Sequence, residues 1–132
     1  MAETIKLAAI GAVAFMVLDG IWLGPLMKNF YRDQLAPIVR LADGGIASNW
    51  PAAFVVYVLL GTGMALFVIP RATTVSSAAA FRALFGVGVY GVYDFTNYST
   101  LRQWPFVLTL ADTAWGALAS AAAAVAVRIV AR

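Results

Sequence analysis

Four apolar runs, each of about twenty residues, dominate this 132-residue chain and leave only short polar segments between them. They extend from Leu7 to Met27, Pro51 to Pro70, Ala78 to Tyr98 and Pro105 to Val127. A run of that length matches the ~30 Å hydrocarbon core of a bilayer when helical, at 1.5 Å per residue. An alternating barrel pattern is missing, and an open sheet cannot satisfy its backbone groups in hydrocarbon, so helix is the state that fits. Composition agrees: 63% of the residues are hydrophobic, 11% are charged and the mean hydropathy is +0.87. Soluble domains are about 45–50% apolar and about 25% charged. The expected fold is all-α: one integral membrane four-helix bundle comprising residues 1–132 as a single domain, with no separate soluble part.

The N-terminal run, preceded by Lys6, has the form of a signal peptide, but it continues past Asp19 through Ile21-Trp22-Leu23, too long for an h-region. The net charge of +3 is dispersed over connecting segments, which suits headgroup anchoring and carries no nucleic-acid signature. Cysteine and histidine are absent. That removes disulfides, thiolate chemistry, histidine-ligated haem and histidine-based zinc or iron sites, so no metal site is assigned and any metal would need oxygen ligands. Lysine occurs only at positions 6 and 28, at helix ends, which argues against a Schiff base deep in the membrane. No cofactor is readable.

Three aspartates interrupt the apolar runs. Asp19 lies nine residues before Lys28, Asp94 eight before Arg102, and Asp112 eight after Trp104. On helices all three then sit roughly 12–14 Å from the same boundary. Each charged aspartate at mid-helix depth costs about 2.5–3.5 kcal/mol on insertion scales, so three at one depth point to a shared polar interior. Helical phase tests whether they converge. At 100° per residue, Phe15, Asp19 and Trp22 share a face, extended by Ala12 and Leu26. Ala83, Gly86, Tyr90, Asp94 and Asn97 form a second stripe, leaving Phe85, Val89 and Val92 for lipid. Leu108, Thr109, Asp112, Trp115, Gly116 and Ala119 form a third, and the second run offers Tyr57 at comparable depth between Ala53, Gly61 and Met64.

The candidate ligand-binding set is therefore Asp19, Trp22, Tyr57, Tyr90, Asp94, Asn97, Thr109, Asp112 and Trp115. The aspartates would bind a cation or proton, Asn97, Tyr90 and Thr109 would supply hydrogen bonds, and Trp22 and Trp115 would wall the site. Crowded carboxylates share protons, and no Lys, Arg or His lies among them within the spans. The plainer account is packing: buried Asp and Asn act as interhelical glue, and Gly20-x-x-x-Gly24 and the Ala-rich last span suit close helix contact. Taken singly, each tryptophan is an ordinary core aromatic.

The 28–50 connection carries Tyr31, Leu35, Ile38, Val39 and Ala42 at helical spacing, as an interfacial amphipathic helix would, limited by Pro37 and followed by an Asp43-Gly44-Gly45 turn. Trp50-Pro51 and Trp104-Pro105 each open a run that follows an aspartate-bearing one, which reads as two similar hairpins related by an axis along the membrane normal. Orientation rests on Lys6, Arg71, Arg82, Arg128 and Arg132 against Lys28, Arg32, Arg40 and Arg102. Five against four favours cytoplasmic termini.

Tyr93-Asp94-Phe95-Thr96-Asn97, Leu101, Trp104-Pro105 and Asp112-Thr113-Ala114-Trp115-Gly116 together resemble the signature of a family of small bacterial predicted membrane proteins of unassigned function, and Asp19, Trp22 and Tyr31 fit its first half. The resemblance implies a four-span inner-membrane protein, supplies no activity, and hints at an association with lipid-modifying enzymes. Three classes stay open. One is binding or transport of a cation, proton or cationic small molecule, in the manner of small four-span multidrug transporters. The second is a membrane enzyme acting on lipid with paired carboxylates, for which no nucleophile motif, phosphate loop or D-x-x-D pair speaks. The third is an accessory subunit of a membrane complex. Membrane lipids are the certain partners, and both a homo-oligomer and a larger complex are compatible with the chain.

Overall fold

The structure, a computed structural model, describes the backbone of residues 1–71 and 75–131 and the side chains of residues 1–71 and 79–131. Part of the expected 71–77 connection, the side chain of Ala78 and Arg132 lie outside the described residues. The fold is helical. Helix α1 (Ala2–Ile21) runs into a wider π-helical turn (Trp22–Leu26), α2 (Lys28–Leu35) follows, and a two-residue hairpin, β1 (Leu41–Ala42) and β2 (Gly45–Ile46), precedes α3 (Trp50–Gly63). A second π-helical stretch (Met64–Val68) and a 3-10 turn (Ile69–Arg71) extend α3, and α4 (Val75–Thr100) and α5 (Phe106–Val130) complete the chain.

Local chemistry explains the joints. Pro25 has no N–H to donate back along the helix and its ring crowds the preceding turn, so the chain widens there and the Met27 N–H reaches the Trp22 carbonyl at 2.8 Å. The extra residue rotates everything after it. Leu26, expected on the Asp19 face, is consequently 65% exposed. The Asn49 side chain accepts the Ala52 N–H at 3.2 Å and caps α3, with Pro51 in the first turn where its missing donor has no cost. Asp43 and Gly44 both take positive φ, 50° and 74°, the left-handed pair that a two-residue hairpin turn demands.

Among the described residues, three stretches are long and apolar enough to cross a membrane: Ala2–Leu26, Trp50–Arg71 and Phe106–Val130. Helix α4 is equally long at 26 residues and carries Arg82, Asp94, Thr96, Asn97, Ser99 and Thr100 along its length. It packs along α5, while α1 packs on both α3 and α5. Val13, Val17, Phe54, Leu59, Val92 and Leu118 are among the many large apolar side chains left exposed, as suits helices solvated by lipid.

In lipid, apolar surface gains little by meeting apolar surface, so helix pairs form where backbones can approach closely. A Cβ at Gly61 would run into the Ala8 carbonyl and the Ala12 N–H, and one at Gly86 would run into the Gly116 carbonyl. Thus α1 crosses α3 at Gly11 and Gly61, and α4 crosses α5 at Gly86 and Gly116. Gly20 and Gly24, read from their spacing as a packing face, have open space around them. Gly11 and Gly86 each precede the aspartate of their helix by eight residues, and Gly61 and Gly116 follow Tyr57 and Asp112 by four. The two crossings therefore set Tyr57 toward Asp19 and Asp112 toward Asp94.

Two apolar clusters bracket these pairs. Phe15, Leu60, Met64, Val68, Ala119, Ala123 and Ala124 form one, against which Phe85 also packs; Phe85 thus belongs to the interior face and not to the lipid face assigned from phase. Tyr31, Leu35, Trp104 and Leu108 form the other. Helix α2 packs on the bundle: Tyr31 and Leu35 are buried against its end, while Ile38 and Ala42, beyond the helix end imposed by Pro37, are exposed. The two Trp-Pro steps differ as well. Trp50 is 76% exposed and Trp104 9% exposed.

Candidate functional site

Between the two clusters lies a half-open cavity of about 220 Å³, lined by Asp19, Asp112, Tyr90, Trp115, Tyr31 and Tyr93 with Leu23, Leu35, Ile46, Trp104 and Leu108. That is room for a small organic cation or about seven waters at ~30 Å³ each. Elements from both ends build it. The α1 phase aims Asp19 inward, α5 supplies Asp112 and Trp115 one turn apart, α4 supplies Tyr90 and Tyr93, and α2 with the β hairpin forms the roof.

Asp19 is 7% exposed and well supplied with donors. Its Oδ1 accepts the Trp115 Nε1–H at 2.8 Å, and the Tyr90 hydroxyl donates to it at 3.3–3.4 Å. The Tyr57 hydroxyl faces it as well. Asp112, half-buried, accepts the Tyr31 hydroxyl at 2.5 Å, and that phenolic oxygen in turn accepts the Trp22 Nε1–H at 2.9 Å. The Trp22 and Trp115 rings stack with centroids 4.4 Å apart and planes 2° from parallel. No cation fits between rings so close. Trp22 and Trp115, expected to frame a cation by their faces, instead turn N–H edges toward the carboxylate network.

Asp94 is the exception. It is fully buried, and neither of its oxygens meets a donor. The register that seats Gly86 on Ser120, Tyr90 on Gly116 and Gly91 on Thr113 sets it opposite Asp112. Asp112 thus stands between the other two aspartates, facing Asp94 behind it and Asp19 across the cavity. The ion pairs among the described residues, Lys6–Glu3 and Arg32–Asp33, lie at the two ends of the bundle and leave all three aspartates without a basic partner. No group of three or more carboxylates among the described residues converges tightly enough to ligate a metal ion.

Two residues of the expected set have other duties. Thr109 is fully buried, and its hydroxyl accepts the Trp104 Nε1–H at 3.1 Å and donates to the Pro105 carbonyl at 3.3 Å, leaving nothing for the aspartates. Asn97 is half-buried beside the Tyr93 hydroxyl, outside the cavity lining. Tyr31, by contrast, was legible as one apolar position of the 28–50 segment and as a match to the family pattern, with no place in the site attached to it. No helical phase within a span could find it, because the Pro25 joint and the turn at Met27 are what fold α2 back over Asp112.

With these residues placed, the comparison with known sequences is decisive. The family model "Predicted membrane protein (DUF2177)" matches residues 4–129, nearly the whole chain. The chain belongs to the DUF2177 family of predicted membrane proteins. Membership in DUF2177 establishes a membrane protein of a family whose function is unknown. The chain matches no curated protein and no solved structure.

Burial, the Asp112 charge and the Tyr31–Asp112 hydrogen bond all raise the Tyr31 pKa above the ordinary tyrosine value. Because the folded-state value lies above the unfolded one, the stabilisation from this hydroxyl is complete below about pH 10 and is lost only as the pH climbs through the raised value. Tyr31→Phe leaves Asp112 without its donor and the Trp22 N–H without its acceptor. Thermal unfolding in detergent at pH 7 should register a loss of about 1–3 kcal/mol, larger than the same change at exposed Tyr98. Equal effects at Tyr31 and Tyr98 would show that the hydroxyl bridge carries no stability.

Proposed function

We propose that this chain is a four-span protein of the bacterial inner membrane, with α4 as the fourth span, and that its Asp19–Asp112 cavity binds a cation or cationic small molecule for storage or transport. The observation that carries this reading is a cavity with two carboxylates in its wall and, among the described residues, no basic residue paired with either. An uncompensated carboxylate in low-dielectric surroundings is costly, and a positive ligand supplies the missing charge. Loose convergence of the carboxylates favours a small organic cation over a tightly coordinated metal ion. The stacked tryptophans and Tyr31 fix carboxylate orientation through N–H and O–H donors, which spares the ligand that ordering cost.

Binding of tetramethylammonium and of sodium to the purified protein, followed by calorimetry at two pH values, tests the reading. Protons compete with a cation for a carboxylate oxygen, so affinity should fall as the pH is lowered. Heats that are absent, or that are independent of pH, would remove the cation site and leave the accessory-subunit reading in its place.

The charge distribution adds a topological expectation, that both termini are cytoplasmic. A fluorescent reporter that matures only in the cytoplasm should light up when fused at the C-terminus and stay dark when inserted at Gly44, in the exposed turn on the other side. The opposite pattern would invert the orientation.

A further inference from the structure

The fully buried Asp94 has no role in the cation reading, since it does not line the cavity. Its position is nonetheless specific. Among the described residues both of its oxygens lack a donor, and the antiparallel register that seats Gly86 on Ser120, Tyr90 on Gly116 and Gly91 on Thr113 sets another carboxyl, that of Asp112, opposite it. An ionised carboxylate is acceptor-only, so two of them facing each other in a site without donors repel; a carboxyl and a carboxylate can pair, with one O–H donating to the other. From this geometry we propose that Asp94 and Asp112 form a proton-binding pair that holds one proton between them and exchanges it with the cavity through Asp112.

The surroundings support a pair and not two separate ions. The titratable groups facing it are Tyr31 from α2, Asp19 from α1, and Tyr90 and Tyr93 on α4. None is basic, and an arginine or lysine ion pair to either aspartate is missing among the described residues. Asp112 Oδ1 already accepts the Tyr31 hydroxyl, a donor suited to a carboxylate oxygen, which leaves Asp94 as the resident carrier of the O–H. Exchange breaks that O–H bond and forms another on Asp112 or on cavity water. Nothing else is consumed. The inference rests on the cation reading only for its consequence: a cation that engages Asp112 from the cavity fixes the proton on Asp94.

Infrared spectroscopy of the purified protein, without added ligand, tests the pair. A protonated-carboxyl C=O stretch should be present at pH 7 and should move to lower frequency in deuterium oxide, because Asp112 connects the pair to the cavity. Asp94→Asn, whose side-chain amide can donate to Asp112, should abolish the band, and Asp19→Asn should retain it. Absence of the band in the unmodified protein, failure to shift in deuterium oxide, or loss in Asp19→Asn with survival in Asp94→Asn would each overturn the proposal. The unmodified protein alone decides the first two outcomes, so a poorly folding variant does not protect the idea. Ligand plays no part in the band, so a failed cation titration and a failed proton pair are separate results.

Discussion

Asp112→Asn should weaken tetramethylammonium binding about 30-fold or more while leaving the fold intact. Asp112 sits in the cavity wall between Asp19 and Asp94, so a ligand cation there loses the charge nearest it. Removing one partner of a buried charge pair costs about 2–5 kcal/mol, and ~2 kcal/mol is already about 30-fold in affinity. Asparagine keeps a carbonyl oxygen for the Tyr31 hydroxyl, so the roof contact survives and the thermal midpoint should move little. Asp19→Asn should act in the same direction, its amide still able to accept the Trp115 N–H. Calorimetry paired with thermal unfolding separates binding from folding. Unchanged affinity in both variants would retire the cation site, and a collapse of the midpoint in both would show that the carboxylates serve packing instead.

Gly86→Leu should separate α4 from α5 and cost about 2 kcal/mol or more. A Cβ at Gly86 meets the Gly116 carbonyl, which cannot retreat without moving the helix backbone, and, at 2.7 Å, the Ser120 hydroxyl. Overpacking a tight contact costs about 1–3 kcal/mol, and here it would also carry Tyr90 and Asp94 away from α5. Gly20→Leu is the matched control, because nothing lies within 4 Å of a Cβ there. That change should stay within about 0.5 kcal/mol. Thermal unfolding of the two variants in the same detergent compares them directly. Equal losses would mean that the α4–α5 approach does not set the cost, since leucine is the better helix former at both positions.

Several features were fixed by local rules and could be read without the fold. The apolar runs required membrane helices because a lipid-facing backbone must satisfy itself. Phase alone put Asp19, Asp94, Gly116 and Ala119 on inward faces, and all four are buried. The Asp43-Gly44 turn followed from the positive φ that those residues tolerate.

Tertiary structure decided the rest, because phase gives a direction about one helix axis and says nothing of what stands opposite. Gly20-x-x-x-Gly24 has the spacing of a packing motif, yet the close approaches occur at Gly11–Gly61 and Gly86–Gly116, where a facing backbone is actually present. Thr109 lies on the expected stripe but answers Trp104, five residues away on the chain, before any aspartate can reach it. The stacking of Trp22 on Trp115 and the Tyr31 hydrogen bond to Asp112 join residues 93 and 81 positions apart. Such pairings depend on the π-helical joint at Pro25 and on the angle at which α2 returns, quantities set by packing against neighbours and not by any local propensity. The sequence by itself determined that this chain sets three aspartates within apolar helical runs; the tertiary structure alone decided that Asp112 faces the other two and that a tyrosine from α2 holds it there.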